Sequence, residues 1–284
     1  MKPADLARLF SLAAIWGASF LFVRLAVPAL GPVWLTEYRV GVAAIAMLVI
    51  ARASGARLSV RENWPTFLMM GLINSALPFC LYAYAGLHLT AGTMGILNAT
   101  TPFFSAVFGV MWLGEKFTLR KLAGLGLGFI GVAMVVGLGP LELTTDVALG
   151  SLACVGATLC YALTSALLKK SGNATKPLPL SAGSLLVAAC AVAPFLPAAP
   201  PASVYTPVVL VAIAGISLLC SAVAYLLYFR LIADVGPTRA MTVAFLIPVF
   251  SVLWGSLFLG EAIGLGTIAG GITILAATAL VVRR

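Results

Sequence analysis

Asn74, Pro78 and Tyr82 recur at four-residue spacing, so on a helix they share one face. Three more stretches carry faces of the same kind: Asn98, Thr101 and Ser105; Thr158, Tyr161 and Ser165; and Ser217, Ser221 and Tyr225. Each lies inside an otherwise apolar run. With no base or paired acid beside them, these groups are equipped to donate and accept hydrogen bonds and little else. Ser and Thr hydroxyls in such runs often bond back to their own helix or join neighbouring helices. The two asparagines, with four hydrogen-bonding positions each, are the stronger candidates for contact with a solute. Trp16, Tyr82, Tyr161 and Tyr225 lie near the middle of apolar runs, whereas Trp34, Trp64 and Tyr205 stand at run ends, where interfacial aromatics collect. Rings with a few amides and hydroxyls suit an amphipathic solute, such as a zwitterionic amino acid with an apolar side chain.

Two prolines accompany these faces. Pro102 and Pro248 each lack an N–H and clash with the preceding turn, which predicts kinks that free the carbonyls of Asn98 and Ala244. Such kinks serve packing, or they bound a polar site and flex. The ionisable residues are sparse: no carboxylate falls at the middle of an apolar run. Glu37 and Arg39 near the start of the second run, with Arg24 near the end of the first, predict an outer cluster. That cluster would be a structural ion pair, an outer gate or an anchor for a substrate carboxylate. His88, the only histidine, is expected near the same mouth. An enzyme would need a metal cluster, a nucleophile triad or paired carboxylates, and one histidine with scattered acids supplies none of them. The expectation is no metal and no cofactor. Cys80, Cys154, Cys160, Cys190 and Cys220 all fall inside apolar runs and read as packing residues.

The elements that must position these side chains follow from composition. The chain of 284 residues is 62% hydrophobic and 9% charged, against roughly a quarter charged in soluble domains. Runs near Leu9–Pro28, Trp34–Ala51, Trp64–Leu87, Gly92–Leu113, Leu122–Gly139, Val147–Leu168, Leu178–Leu196, Val208–Ile232, Pro237–Leu259 and Ile263–Val282 can each cross a hydrocarbon core of ~30 Å. They are continuously apolar rather than alternating, which predicts helices and not a barrel. The first is too long for the core of a signal peptide.

The net charge of +9 is a matter of placement. With loops numbered alternately from an inner start, 15 of the 17 basic residues fall on one side. The opposite loops hold only Glu142, Asp146 and Glu261. By the positive-inside rule both termini are cytoplasmic, in the inner (plasma) membrane, and the basicity is no sign of nucleic-acid binding.

The chain also repeats itself. Pro102, Gly114, Glu115 and Gly124 match Pro248, Gly260, Glu261 and Gly270 at an offset of 146 residues. From Pro102 to Val136, 13 of 35 positions are identical at that offset. Two units result, residues 1–139 and 147–284. Five spans per unit is an odd number, so the second unit would sit upside down relative to the first. The predicted fold is an all-α integral membrane protein of ten transmembrane helices in two inverted five-helix repeats, an architecture typical of secondary transporters. Glu115 and Glu261 are expected as caps or gate elements.

Trp16-Gly17-Ala18-Ser19 in the first span, Arg39 in the second, and a Pro thirteen residues before Glu in the fourth and ninth together resemble the EamA-type transporters of the drug/metabolite transporter superfamily. The resemblance spans nearly the whole chain. It implies a central pathway lined by the first four helices of each half, with the fifth and tenth peripheral. It also implies export of amino acids and other small metabolites, aromatic amino acids in one branch. The second half departs from the pattern, having Cys160-Tyr161 near the position of Trp16-Gly17.

The expected function is therefore an exporter of amino acids or related metabolites working by alternating access, with the lipid bilayer as its medium. Nucleotide-sugar or sugar-phosphate cargo would need deep Lys or Arg, and cationic drug efflux a buried Glu. Without a buried acid, facilitated export is as well supported as proton antiport. Small-residue patterns at Gly124, Gly128, Gly131, Gly266 and Gly270 fit contact within a monomer or between the subunits of a homodimer.

Overall fold

The structure, a computed structural model, describes residues 2–114, 118–137, 144–171, 176–199, 205–236, 240 and 242–282. Among these there are helices and no strand. The elements are α1 (Pro3–Ala53), α2 (Val60–His88), α3 (Ala91–Leu113), α4 (Leu119–Gly137), α5 (Thr145–Ser171), α6 (Pro177–Phe195), α7 (Pro207–Val235), α8 (Val243–Leu259) and α9 (Leu265–Val282). Six of them are long and apolar enough to cross a membrane, and α4, α8 and α9 are shorter apolar helices. Large apolar side chains point outward, such as Ile45 at 66% and Val211 at 66% exposure. That is the surface of a multi-pass membrane protein, whose outside faces lipid and whose backbone must satisfy itself.

A straight helix of 51 residues would span about 75 Å, more than twice a hydrocarbon core. The chain breaks it at Gly31, whose φ of 72° and ψ of 166° belong to a region that only glycine enters freely. The break turns α1 into two arms, residues 3–30 and 32–53, which hold the first and second apolar runs.

Two helices widen locally. Residues Met70–Ala76 of α2 and Gly215–Val223 of α7 are π-helical, and a shift of 146 carries the first almost onto the second. In α3 the helix stops after Asn98 and restarts at Thr101. Pro102 therefore opens a new helix, where its missing N–H costs nothing, instead of kinking a continuous one. Pro248 does lie inside a continuous helix. The two prolines, predicted as equivalent kinks, behave differently. Gly114 and Gly260 cap their helices with nearly the same left-handed geometry, φ 65°, ψ 20° and φ 65°, ψ 23°.

Packing joins the two halves of the chain throughout. The first arm of α1 lies on α7 and α8, its second arm on α6 and α7, α2 on α5 and α6, and α3 on α5 and α8. Small residues set the close approaches. A Cβ added at Gly17 would lie 2.7 Å from that of Phe250. The glycines Gly131 and Gly270 meet each other in the α4–α9 contact, so both are used within one chain.

That contact gives a direct test. A Cβ at Gly270 would fall 2.8 Å from the carbonyl oxygen of Gly131. Gly270→Leu should force α4 and α9 apart and cost about 1–3 kcal/mol, lowering the midpoint of thermal unfolding in detergent. Gly126→Leu, which meets nothing within 4 Å, should leave it unchanged. Equal midpoints for the two variants would contradict the packing.

Candidate functional site

The predicted polar faces meet at mid-height, where α1, α2, α3, α5 and α7 converge. The Tyr82 hydroxyl donates to Asn98 Oδ1 at 2.7 Å. The Tyr82 ring stacks on Tyr161 with centroids 6.2 Å apart and takes the edge of Phe20 at 5.4 Å. Thr101 Oγ1 donates to the Asn98 carbonyl at 2.8 Å, satisfying the group that Pro102 cannot reach. Tyr161 and Tyr225 are half-buried. Trp16, half-buried, donates from Nε1 to the Cys220 carbonyl at 3.2 Å. That carbonyl lies in the π-helical part of α7, where the widened turn leaves it a second partner to seek. The Trp16 ring packs on Tyr228 at 5.2 Å. Pro78 is buried on α2, and the half-buried Asn74 side chain makes no hydrogen bond among the described residues.

Arg39 is the main departure from expectation. It lies seven residues into the second arm of α1, about 10 Å along the helix, and joins neither Arg24 nor Glu37. Its guanidinium covers the Phe79 ring at 3.6 Å, and Nε donates to Ser221 Oγ at 3.3 Å. The phenols of Tyr82, Tyr161 and Tyr225 are within its electrostatic reach. Among the described residues no carboxylate pairs with it. Glu37 stands apart, with Oε2 buried and unbonded. The expected outer Glu37–Arg39 cluster is therefore absent.

Arg24 finds a different acid. Its Nε is 3.6 Å from Glu261 Oε1, and Nη1 donates to the Gly86 carbonyl at 3.0 Å. Glu261 accepts from the Ala91 N–H at 2.9 Å and the Gly92 N–H at 3.3 Å. The pair thus serves the corner between α2 and α3. The cation meets the carbonyl end of one helix and the carboxylate meets the N–H end of the next, each the favourable partner for that helix dipole. Below this corner α3 lies directly on α8, with Gly95 against Ser251 and Gly92 against Val252. His88 is near this end too, its ring 5.0 Å from Tyr84. Tyr38 and Tyr205 join hydroxyls at 2.9 Å. At the opposite end Arg8 bridges Asp5 and Asp234. Glu115 lies outside the described residues.

Sequence reasoning missed Phe79, Tyr228 and Trp254. The last donates from Nε1 to the Ala14 carbonyl at 2.9 Å. The repeat carried the signal for two of them: an offset of 146 places Phe79 on Tyr225 and Tyr82 on Tyr228. A separate hollow of about 290 Å³ between the second arm of α1, α2 and α6 includes Val33, Leu72, Leu77 and Phe195, and it excludes the Arg39 cluster.

Comparison with known proteins fits this architecture. The model of the EamA-like transporter family matches residues 6–137 and again residues 148–283. The chain belongs to that family, and so is a transporter of the drug/metabolite type. It is 26% identical over 275 residues to the uncharacterized transporter YvbV of Bacillus subtilis, covering 95% of this chain and 88% of that one. It is 25% identical to a probable terminal-alkyne amino-acid exporter of Streptantibioticus cattleyicolor, covering 95% and 90%. A solved crystal structure, 16% identical, shares the fold with a TM-score of 0.69 over 99% of this chain and 96% of that one.

The Glu261 corner predicts a local effect. Glu261→Ala should leave the Ala91 and Gly92 amides without acceptors and speed their hydrogen exchange about fivefold or more, as expected for loss of a helix cap. Exchange measured by mass spectrometry on a peptide spanning that corner checks it. An unchanged rate would show that the carboxylate does not hold the corner.

Proposed function

We propose that the protein exports amino acids or closely related metabolites, large apolar or aromatic ones foremost, by alternating access through the cleft between its two halves. The carrying observation is the cluster where the two halves meet: Tyr82 on Asn98 and Tyr161, Trp16 on Cys220, and Arg39 on Ser221 of the helix that carries Tyr225. Rings of this kind match an apolar side chain, and the polar groups match an α-amino acid backbone.

In this reading the two arms of α1 count as separate spans, giving ten in all, and residues 1–139 and 147–284 are inverted repeats. The matched π-helical segments and the matched glycine caps support that symmetry. The distribution of Lys and Arg supports cytoplasmic termini in the plasma membrane. The Arg24–Glu261 corner is then the external gate, drawn closed, and the Arg8 end faces the cytoplasm. An amino-acid cargo gains support from the likeness to a probable amino-acid exporter. Inverted halves exchange roles as the gates alternate, so one central site serves both sides.

Uptake of labelled amino acids into liposomes carrying the purified protein tests this, with and without an imposed pH gradient. The expected result is saturable uptake of phenylalanine, methionine or leucine, competed by unlabelled amino acid and indifferent to the gradient. No uptake of any amino acid by folded protein would remove the cargo assignment.

A further inference from the structure

We propose that Arg39 is the anchor for the carboxylate of the substrate, so that the transported solutes are those with one carboxylate and an apolar or aromatic tail. The inference deepens the transporter reading above and rests on it. It starts from an electrostatic oddity. A cation inside a membrane protein is costly without a partner, yet among the described residues Arg39 has no carboxylate beside it.

Its existing contacts engage only part of the guanidinium. One face of the guanidinium is covered by the Phe79 ring. Nε is spent on Ser221. Both Nη groups make no hydrogen bond among the described residues, and neither is shut away from solvent. What remains is the N–H edge of a planar fork, the geometry that receives a carboxylate. Phe79 and Ser221 lie on the helices that carry Tyr82 and Tyr225, and Tyr161 stacks on Tyr82, so aromatic rings near the guanidinium can supply the surface for an apolar tail.

The fold itself does not require a cation here. In the second half the equivalent position is Leu185, which is fully buried in the core. The same scaffold position thus works with an apolar residue. Charge count sets the ligand class: one guanidinium balances a monoanion, whereas a phosphate ester would bring a second charge with no partner.

The test uses purified full-length protein and four probes: phenylalanine, 3-phenylpropionate, phenethylamine and phenyl phosphate. Binding is read from the ligand-induced rise in thermal unfolding temperature. Wild type should bind phenylalanine and 3-phenylpropionate. Arg39→Gln should weaken both roughly 10-fold or more, the usual scale for a hydrogen bond to a charged group, without changing its response to phenethylamine. Arg39→Leu, which copies the residue at position 185, should behave alike and stands in should Arg39→Gln not fold. The proposal is overturned if either folded variant binds 3-phenylpropionate as wild type does. It is overturned as well if wild type binds neither carboxylate, takes phenethylamine equally well, or prefers phenyl phosphate. Failure of the exporter reading looks different. There the liposomes accumulate no amino acid while 3-phenylpropionate still binds in an Arg39-dependent way. Amino-acid uptake with an unchanged KM in Arg39→Gln would keep the exporter and remove the anchor.

Discussion

A backbone group released from its helix inside a bilayer must find a partner within the protein, and the whole interior is arranged around that demand. Three irregular stretches come with side-chain partners of their own. The break in α3 frees the carbonyls of Asn98 and Ala99, while that of Leu97 keeps the Thr100 N–H at 3.1 Å. Thr100 Oγ1 serves Leu97, Thr101 Oγ1 serves Asn98, and Thr278 Oγ1 reaches across from α9 to Ala99. The π-helical turn of α7 gives its Cys220 carbonyl to Trp16, while the Cys220 thiol donates to the Ile15 carbonyl. The α2–α3 corner is served by Arg24 and Glu261. Most of these partners come from the other half of the chain, so the irregular backbone also stitches the halves together.

The repeat supplies the frame and departs from itself where a solute would be recognised. Across the offset of 146, Ser75 matches Ser221, Phe79 matches Tyr225 and Tyr82 matches Tyr228. These are ring and hydroxyl positions on the π-helical third helices, alike in both halves. Against them, Trp16 faces Ala162, Arg39 faces Leu185 and Asn98 faces Ala244. The indole, guanidinium and amide heads of Trp16, Arg39 and Asn98 have no counterpart in the second half. A symmetric scaffold can rock between equivalent states, but a solute with a distinct head and tail needs a site without that symmetry.

Much of this was legible in the sequence because the signals are local or periodic. Apolar runs gave the helices, and the four-residue spacing gave the face that holds Tyr82, which indeed meets Asn98. The depth of Arg39 was not legible. Hydropathy marks where a run turns apolar, and Trp34, Glu37 and Tyr38 made the start of the second arm look interfacial, whereas the helix begins at the Gly31 break and carries Arg39 inward. The partner of Arg24 was equally hidden. Glu37 was the nearest acid in sequence, but Glu261, more than two hundred residues away, approaches only after the halves interlock. The unequal fates of Pro102 and Pro248 lay beyond any single-residue rule, since both obey the same steric restriction. What differs is the supply of hydroxyls: Thr100 and Thr101 stand just before Pro102, and Ile247 just before Pro248.

The distribution of contact types bears on how such a molecule can move. At mid-height the halves touch through glycines and indoles, Gly17 on Phe250, Trp254 on Ala14 and Trp16 on Cys220. Separating these in lipid would strand backbone carbonyls with no water to replace the lost donors. At the ends the contacts are the Arg24–Glu261 corner, the paired Tyr38 and Tyr205 hydroxyls, and Arg8 with Asp5 and Asp234. The Arg8–Asp234 bridge and the tyrosine pair are exposed, so those groups can exchange partners for water at only the small net difference between two sets of hydrogen bonds. The energetics therefore favour a fixed middle and separable ends. The proposed rocking motion would need this distribution, and it would leave the Arg39 cluster near the pivot.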